Sequence, residues 1–467
     1  MYLWRHRATA LPFFLVAVGY TVCWTAVCSL LALFAEAYGN DILLHLNVAN
    51  FLPSIPLQLL TVPWHDTPGA DAPPGAERWL WARLLVGLAG CGASSGVLAA
   101  LAAPPLPASP AVLLAATAVQ GACGGVALGA SYALAALAAS SAPTFALTVG
   151  YVASGPLVLL LEVAQRLGPQ PTAGQVYALF ALSAAGTLAG TVAAASLHAR
   201  QRGWRAPYAL DARRARSPLP YEGASQGGNP KPGEAAALLI PVMRRASSGS
   251  ADSSDSAAWA RSVQLPCVRA APRGRGGSPA AATAPSGWAA NQGLMRALAP
   301  AASSLALNVG TSVLVFPYFT YVESSGLLGA LLPQALFGVR VVADIVGRLL
   351  PISPLLASRQ RLVAASVAKL GAALLFLVHI ALGRARPWWR SDVAALLFVA
   401  GFWTASGLLS AAAYVGAQAW APPGSGGRAG GFMALAFQVA CLVALLAAEA
   451  GQEAARALLV ASGLPFV

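Results

Sequence analysis

Phe337-Gly-Val-Arg340-Val-Val-Ala-Asp344-Ile-Val-Gly-Arg348 carries three charges at spacings of four inside a run that otherwise reads as membrane. On a helix, positions i and i+4 share one face. A charge in hydrocarbon is costly, so such residues turn to a bundle interior or a polar cavity and pair with one another. The row therefore predicts a polar path through a bundle of membrane helices. Asp344 and Arg348 are its first candidate site residues. The plainer alternative is a structural ion pair at a helix end, with Arg348 snorkelling to the surface. Arg340 lies two turns deeper than Arg348, needs Asp344 or another partner and is a further candidate.

The rest of the chain agrees with a membrane reading. It has 467 residues, of which 57% are hydrophobic and 10% charged, whereas soluble domains carry about 25% charged residues. Runs of about 20 apolar residues mark spans. They fall near 11–34, 42–63, 80–103, 111–139, 143–167, 176–197, 298–320, 327–350, 361–382, 393–417 and 429–451. Six spans precede a long loop and five follow it. The domains expected are an N-terminal six-helix bundle (1–197), a basic loop (198–297) and a C-terminal five-helix bundle (298–467). The first apolar run is long and lacks a small-residue cleavage site, so it reads as a membrane helix and not a signal peptide.

Of the net charge of +13, +9 falls between residues 198 and 297, which hold fourteen Lys/Arg and five Asp/Glu. The positive-inside rule makes this a cytoplasmic loop, and nucleic-acid binding is not required to explain it. Its Gly, Pro, Ser and Arg content predicts disorder. Arg244-Arg245-Ala246-Ser247 matches a basophilic kinase site, with Ser247 as acceptor. Arg5 and Arg7 put the N-terminus on the cytoplasmic side too. Arg384, Arg386 and Arg390 then fall in an external loop, against the rule.

Six cysteines without a CxxC pair or a Cys/His cluster indicate neither a disulfide framework nor a metal site. There is no Walker A, G-x-S-x-G or H-E-x-x-H motif, so neither ATP-driven pumping nor these hydrolytic chemistries are indicated, and no cofactor is expected. Pro53 and Pro56 interrupt the second span, Pro156 the fifth, and Phe316-Pro317 the seventh. Broken membrane helices free backbone groups that transporters use at mid-membrane. Gly121, Gly125 and Gly129 form a small-residue ridge suited to close helix packing. Trp24 stands mid-span, where its ring can stack on a planar solute. Gln334 and Gln438 are amides positioned to line a path, as are Asn47, Asn50, Gln58, Gln120 and Gln418. Glu162 is an acid near the end of the fifth span.

These residues together resemble the equilibrative nucleoside transporter family, over most of the membrane portion. Asp344-Ile-Val-Gly347-Arg348 is similar to its eighth-helix Asp-x-x-Gly-Arg signature. Phe316-Pro317 matches its seventh-helix pair, and Ala429-Gly430-Gly-Phe-Met433-Ala434 the start of its last helix. Ser131, Gly150, Gly155, Gly19 and Trp24 echo other helices. The resemblance implies an all-α polytopic membrane protein, a 6+5 bundle of the major-facilitator type, that moves nucleosides or nucleobases down their gradient and is not an enzyme. By resemblance, Asp344 and Arg348 hold the sugar, while Trp24 and Phe316 shape the cavity. The implied setting is a multi-pass protein of the plasma membrane, or else of an organelle. Several positions depart from the family pattern: Gly129, Thr25, Val341 and Ser406 stand where amides are usual, and Arg340 is an addition. The base-recognition side is therefore altered, which leaves carriers of other polar metabolites or of organic cations, proton-coupled or not, as alternatives. A membrane-embedded lipid-modifying enzyme is a further one, although the spans carry no catalytic cluster.

Overall fold

The computed structural model describes residues 7–39, 41–65, 76–107, 109–138, 141–165, 170–200, 287–350, 352, 356, 358–422 and 425–461. Its regular elements are helices, as a chain crossing lipid requires when it must satisfy its own backbone groups. The first half contains α1 (Arg7–Ser29), α2 (Leu31–Tyr38), α3 (Ile42–Phe51), α4 (Ser54–His65), α5 (Ala76–Ala102), α6 (Ala111–Ala135), α7 (Ala142–Gln165) and α8 (Ala173–Ala199). The second half contains α9 (Gly287–Val315), a 3-10 segment (Phe316–Tyr321), α10 (Leu332–Leu349), α11 (Arg359–Ala385), α12 (Asp392–Trp420) and α13 (Gly426–Ala461).

Among the described residues, ten helical stretches are long and apolar enough to cross a membrane. The expected eleventh is α10. Its 18 residues reach roughly 27 Å at 1.5 Å per residue, and Arg340, Asp344 and Arg348 lower its apolar character. Outward-facing Leu60, Val86, Leu160, Leu375 and Leu397 are 67–69% exposed. Apolar exposure on this scale, spread around the bundle, suits a lipid-facing belt and not a water-facing surface. The protein is an integral, multi-pass membrane protein.

Three expectations need correction. Helix α9 begins at Gly287, so residues 287–297 are helical and not loop. Leu294 and Leu298 are buried there; one apolar stripe beside polar Asn291, Gln292 and Arg296 holds the extension, which a count of apolar runs overlooks. The eighth span starts at Leu332 and not at 327, because Asp392 captures the preceding loop. Its carboxylate accepts from Ser325 N at 2.6 Å, Leu328 N at 2.8 Å and Ser324 Oγ at 2.7 Å. Pro156 does not break α7. The proline costs one rung of the ladder, but α7 is clamped on both sides: a Cβ at Gly150 would strike Phe14 O, and one at Gly155 would strike Val341. The other breaks stand as expected, between Phe51 and Ser54 and after Val315. Ser247 and nearly all of the basic loop lie outside the described residues.

Arg390 forms an ion pair with Glu323 and donates from Nε to Gly383 O at 3.0 Å. The loops after α9 and after α11 therefore share one end of the molecule. A carboxylate from the neighbouring loop offsets this basic residue, which is why the local departure from the positive-inside pattern is tolerated.

Within the first half, α1 packs on α7 and α8, and α5 on α6 and α8; within the second, α9 packs on α11, α12 and α13, and α10 on α12. The halves meet where α13 lies against α3, α4 and α6, and where α10 and α12 lie against α7.

Candidate functional site

Two glycines decide where the charged row points. A Cβ at Gly347 would strike Thr404 O, and one at Gly407 would strike Asp344 O and lie 2.8 Å from Arg348 N. Helices α10 and α12 thus cross backbone to backbone, the close approach that small residues permit in membranes. The crossing leaves the charged face of α10 turned to α7. Arg348 Nε donates to Asp344 Oδ1 at 3.2 Å and Nη2 to Oδ2 at 3.3 Å. Arg348 Nη1 reaches across the seam to Thr148 O at 2.8 Å. The two side chains are 7% and 17% exposed. Arg348 therefore does not snorkel to the surface; it is spent on its carboxylate and on the opposite half.

Two small cavities lie along this seam. One, of about 10 Å³, is bordered by Arg348, Tyr132, Tyr151, Ser410, Tyr414 and Phe437. The other, of about 30 Å³, is bordered by Trp24, Asn50, Phe51, Gln120, Tyr151 and Gln438, among others. Tyr151 and Leu128 border both. Trp24 meets Phe51 edge-on at 6.5 Å, and Phe437 meets both Phe51 and Tyr151 edge-on. Gln120 Oε1 and Gln438 Oε1 are buried with no hydrogen-bond partner. A buried acceptor left unmatched costs about 1–3 kcal/mol. Two of them at one aromatic-walled cavity mark a place built to receive donors.

Arg340 has a different environment. Its guanidinium stacks 4.0 Å above the Phe316 ring and lies 5.7 Å from both Phe337 and Trp403. Cys28 and Tyr151 of the first half lie near it, as do Cys441 and the Asp344 carboxylate of the second. Phe316 is thus a support for Arg340 and does not line either cavity. Gln334 is not brought to the cavities: it donates to Glu162 Oε2 at 3.1 Å, across the seam near the outer ends of α7 and α10. At the other end Tyr132 stacks on Tyr414 at 4.4 Å, and Gln418 donates to Thr144 Oγ1. Contacts between the halves therefore lie on both sides of the cavities. Ligand pockets usually measure about 300–1,000 Å³, so this is a closed conformation.

Sequence reasoning missed Lys369. On α11 it is 5% exposed and donates to Asn308 O and Asn308 Oδ1 at 2.7 Å and to Ser312 Oγ. Asn308 in turn donates to Ser406 O and Ser410 Oγ, both at 2.9 Å. A lone lysine in an apolar run was the available signal. The tyrosines were missed as well; Tyr20 and Tyr151 sit mid-span, away from the interfaces where membrane tyrosines usually collect, and Tyr132 and Tyr414 are buried towards the ends of α6 and α12. The Gly121–Gly125 ridge is used for packing, as a Cβ would strike Asn50 at the first and Ser54 at the second. Among the described residues no group of three or more His, Cys, Asp or Glu side chains could hold a metal ion.

No family model matches the chain, and no curated sequence matches it. Solved structures do. An auto-inhibited peptide transporter of the POT family superposes with a TM-score of 0.54 at 14% identity, covering 98% of this chain and 92% of that one. A second POT-family transporter, in complex with a thioalcohol-conjugated peptide, gives 0.48 at 12% identity over 95% and 90%. The E. coli fucose:proton symporter gives 0.44 at 12% identity over 94% and 96%. The first likeness extends over nearly the whole of both chains, and the fold is of the major-facilitator type.

Proposed function

We propose that this protein is a membrane carrier that moves a small polar organic metabolite by alternating access, with the site on the seam between its two halves. One observation carries the reading. The Asp344–Arg348 pair is buried on that seam, and its guanidinium bonds to the opposite half at Thr148 O. Arg348 borders the smaller cavity, next to a larger one with unmatched amide acceptors, so parting the halves would present the pair to a solute. Repeated rocking of one half against the other would open the cavities to each side in turn. The cavities' small size supports this, since no metabolite fits until the halves part. At 14% identity the POT-family likeness is one of fold, so its peptide cargo is not carried over.

Nucleosides and nucleobases are the narrower reading. The Asp-Ile-Val-Gly-Arg row favours it. So does the combination of Trp24, Phe51 and Tyr151 with the amides of Gln120 and Gln438, since rings stack on a planar base and amides pair with its edge. The test is uptake of labelled adenosine, uridine and adenine by transport-deficient cells expressing the protein. Asp344→Asn is expected to abolish most uptake at unchanged surface expression. Uptake equal to wild type would remove Asp344 from the site and this reading with it.

A further inference from the structure

The charges around the seam do not balance. Arg340 and Arg348 are two guanidinium cations. Asp344 is the carboxylate among them, and both of its oxygens are taken by Arg348. Lys369 is surrounded by neutral acceptors and is buried behind the site. Glu162 is engaged by Gln334 towards the end of the helices. Among the described residues, Arg340 makes neither a hydrogen bond nor an ion pair; it rests on the faces of Phe316, Phe337 and Trp403. An unpaired guanidinium inside a membrane bundle is expensive, and intramembrane cations of this kind mark solute pathways.

The position of Arg340 says what the charge is for. Its three aromatic supports all belong to the second half, whereas Cys28 and Tyr151 belong to the first. Parting the halves therefore frees the guanidinium on its seam side and leaves its aromatic cradle intact. Tyr151 borders both cavities. Cys441, another neighbour of Arg340, lies one helical turn beyond Gln438, whose unmatched Oε1 is at the larger cavity. A solute with its ring between Trp24 and Tyr151 and its edge on Gln438 would present its far end to Arg340. The five donors of an arginine fork fit a carboxylate bidentately.

Building on the carrier reading, we infer that the preferred solute is a planar organic anion bearing a single carboxylate, which Arg340 receives. The same excess of positive charge disfavours organic cations. Arg340 acts here as a specificity-determining residue; Asp344 and Arg348 hold the neutral polar part of the solute.

The test is isothermal titration of the full chain in nanodiscs with two matched pairs of probes: orotate against uracil, and nicotinate against nicotinamide. Each pair keeps its ring and differs in the charged group. A charge-assisted, bidentate contact should favour the anion by about tenfold or more in Kd. Arg340→Gln should erase that gap while leaving uracil and nicotinamide binding within about twofold. Arg340→Lys, which keeps the charge without the fork, should retain part of it. A role limited to packing on Phe316 would weaken both members of each pair alike, and that result would overturn the inference. So would equal binding of anion and neutral probe by the wild type, a gap that survives Arg340→Gln, or no binding of any probe. Adenosine or uridine uptake that excess orotate and nicotinate fail to inhibit would sink this inference and leave the carrier reading standing. Loss of all uptake sensitivity to Asp344→Asn would sink the carrier reading instead.

Discussion

Removing the charge of Asp344 should cost the folded protein stability as well as transport, and the structure sets the size. Exposed i, i+4 pairs contribute about 0.3–0.5 kcal/mol. Stripping one member from a fully buried pair costs about 3–5 kcal/mol, because the other charge is stranded. With side-chain exposures of 7% for Arg348 and 17% for Asp344, this pair stands near the buried limit. Asp344→Asn keeps one carbonyl acceptor for Arg348, so the expected loss is about 2–3 kcal/mol. Arg348→Gln should cost at least as much, since it also removes the bond to Thr148 O across the seam. In the double variant the stranded charge is gone, and the two losses should fall short of additivity by about 1.5 kcal/mol or more. The assay is thermal unfolding of the purified chain in detergent at a fixed scan rate, with Tm expected to fall by about 2–3 °C for Asp344→Asn. Additive single losses, or an unmoved Tm, would refute the reasoning: the pair would then be a solvated surface contact.

Three further expectations follow from packing and from the seam. Gly347→Leu should sharply reduce the yield of folded protein, because a Cβ there meets Thr404 O; Gly371→Ala, where nothing lies within 4 Å, should be neutral or add up to about 1 kcal/mol. Comparison of fluorescence-detected size-exclusion profiles would tell them apart. Lys369→Met should lower stability by about 1–3 kcal/mol through the acceptors it abandons on Asn308 and Ser312, with part of the loss recovered by adding Asn308→Ala. Equal Tm values for the single and double variants would contradict that. Cysteines at Glu162 and Gln334, or at Thr144 and Gln418, joined by a thiol-specific cross-linker, should each arrest uptake, because both ends of the seam must open in turn; continued uptake by fully cross-linked protein would exclude rocking about this seam.

Much of the fold was legible in local features. Lipid forces the chain into apolar helices, so run length located the spans, and Pro53 and Phe316-Pro317 marked true breaks because a missing N–H removes a rung. The same logic failed at Pro156, where neighbours on α1 and α10 hold α7 straight. It failed again at residues 287–297, where a helix extends beyond the apolar run. The charged row was legible as a pair, since i and i+4 spacing is a property of one helix. The partners of Gln334 and Phe316 were not, because those contacts join residues far apart in the chain.

What the sequence by itself determined is the multi-pass helical character, the helical proximity of Asp344 to Arg348, and the small-residue positions at which helices can touch. These depend on solvent exclusion and on helix periodicity, which act within about twenty residues. Only the tertiary structure decided that Arg348 reaches Thr148, that Lys369 is satisfied by Asn308 and Ser312, and that Arg340 rests on aromatic faces without an ion pair among the described residues. Those outcomes depend on which helix faces which, and a charge in a membrane takes its meaning from the residue across the seam.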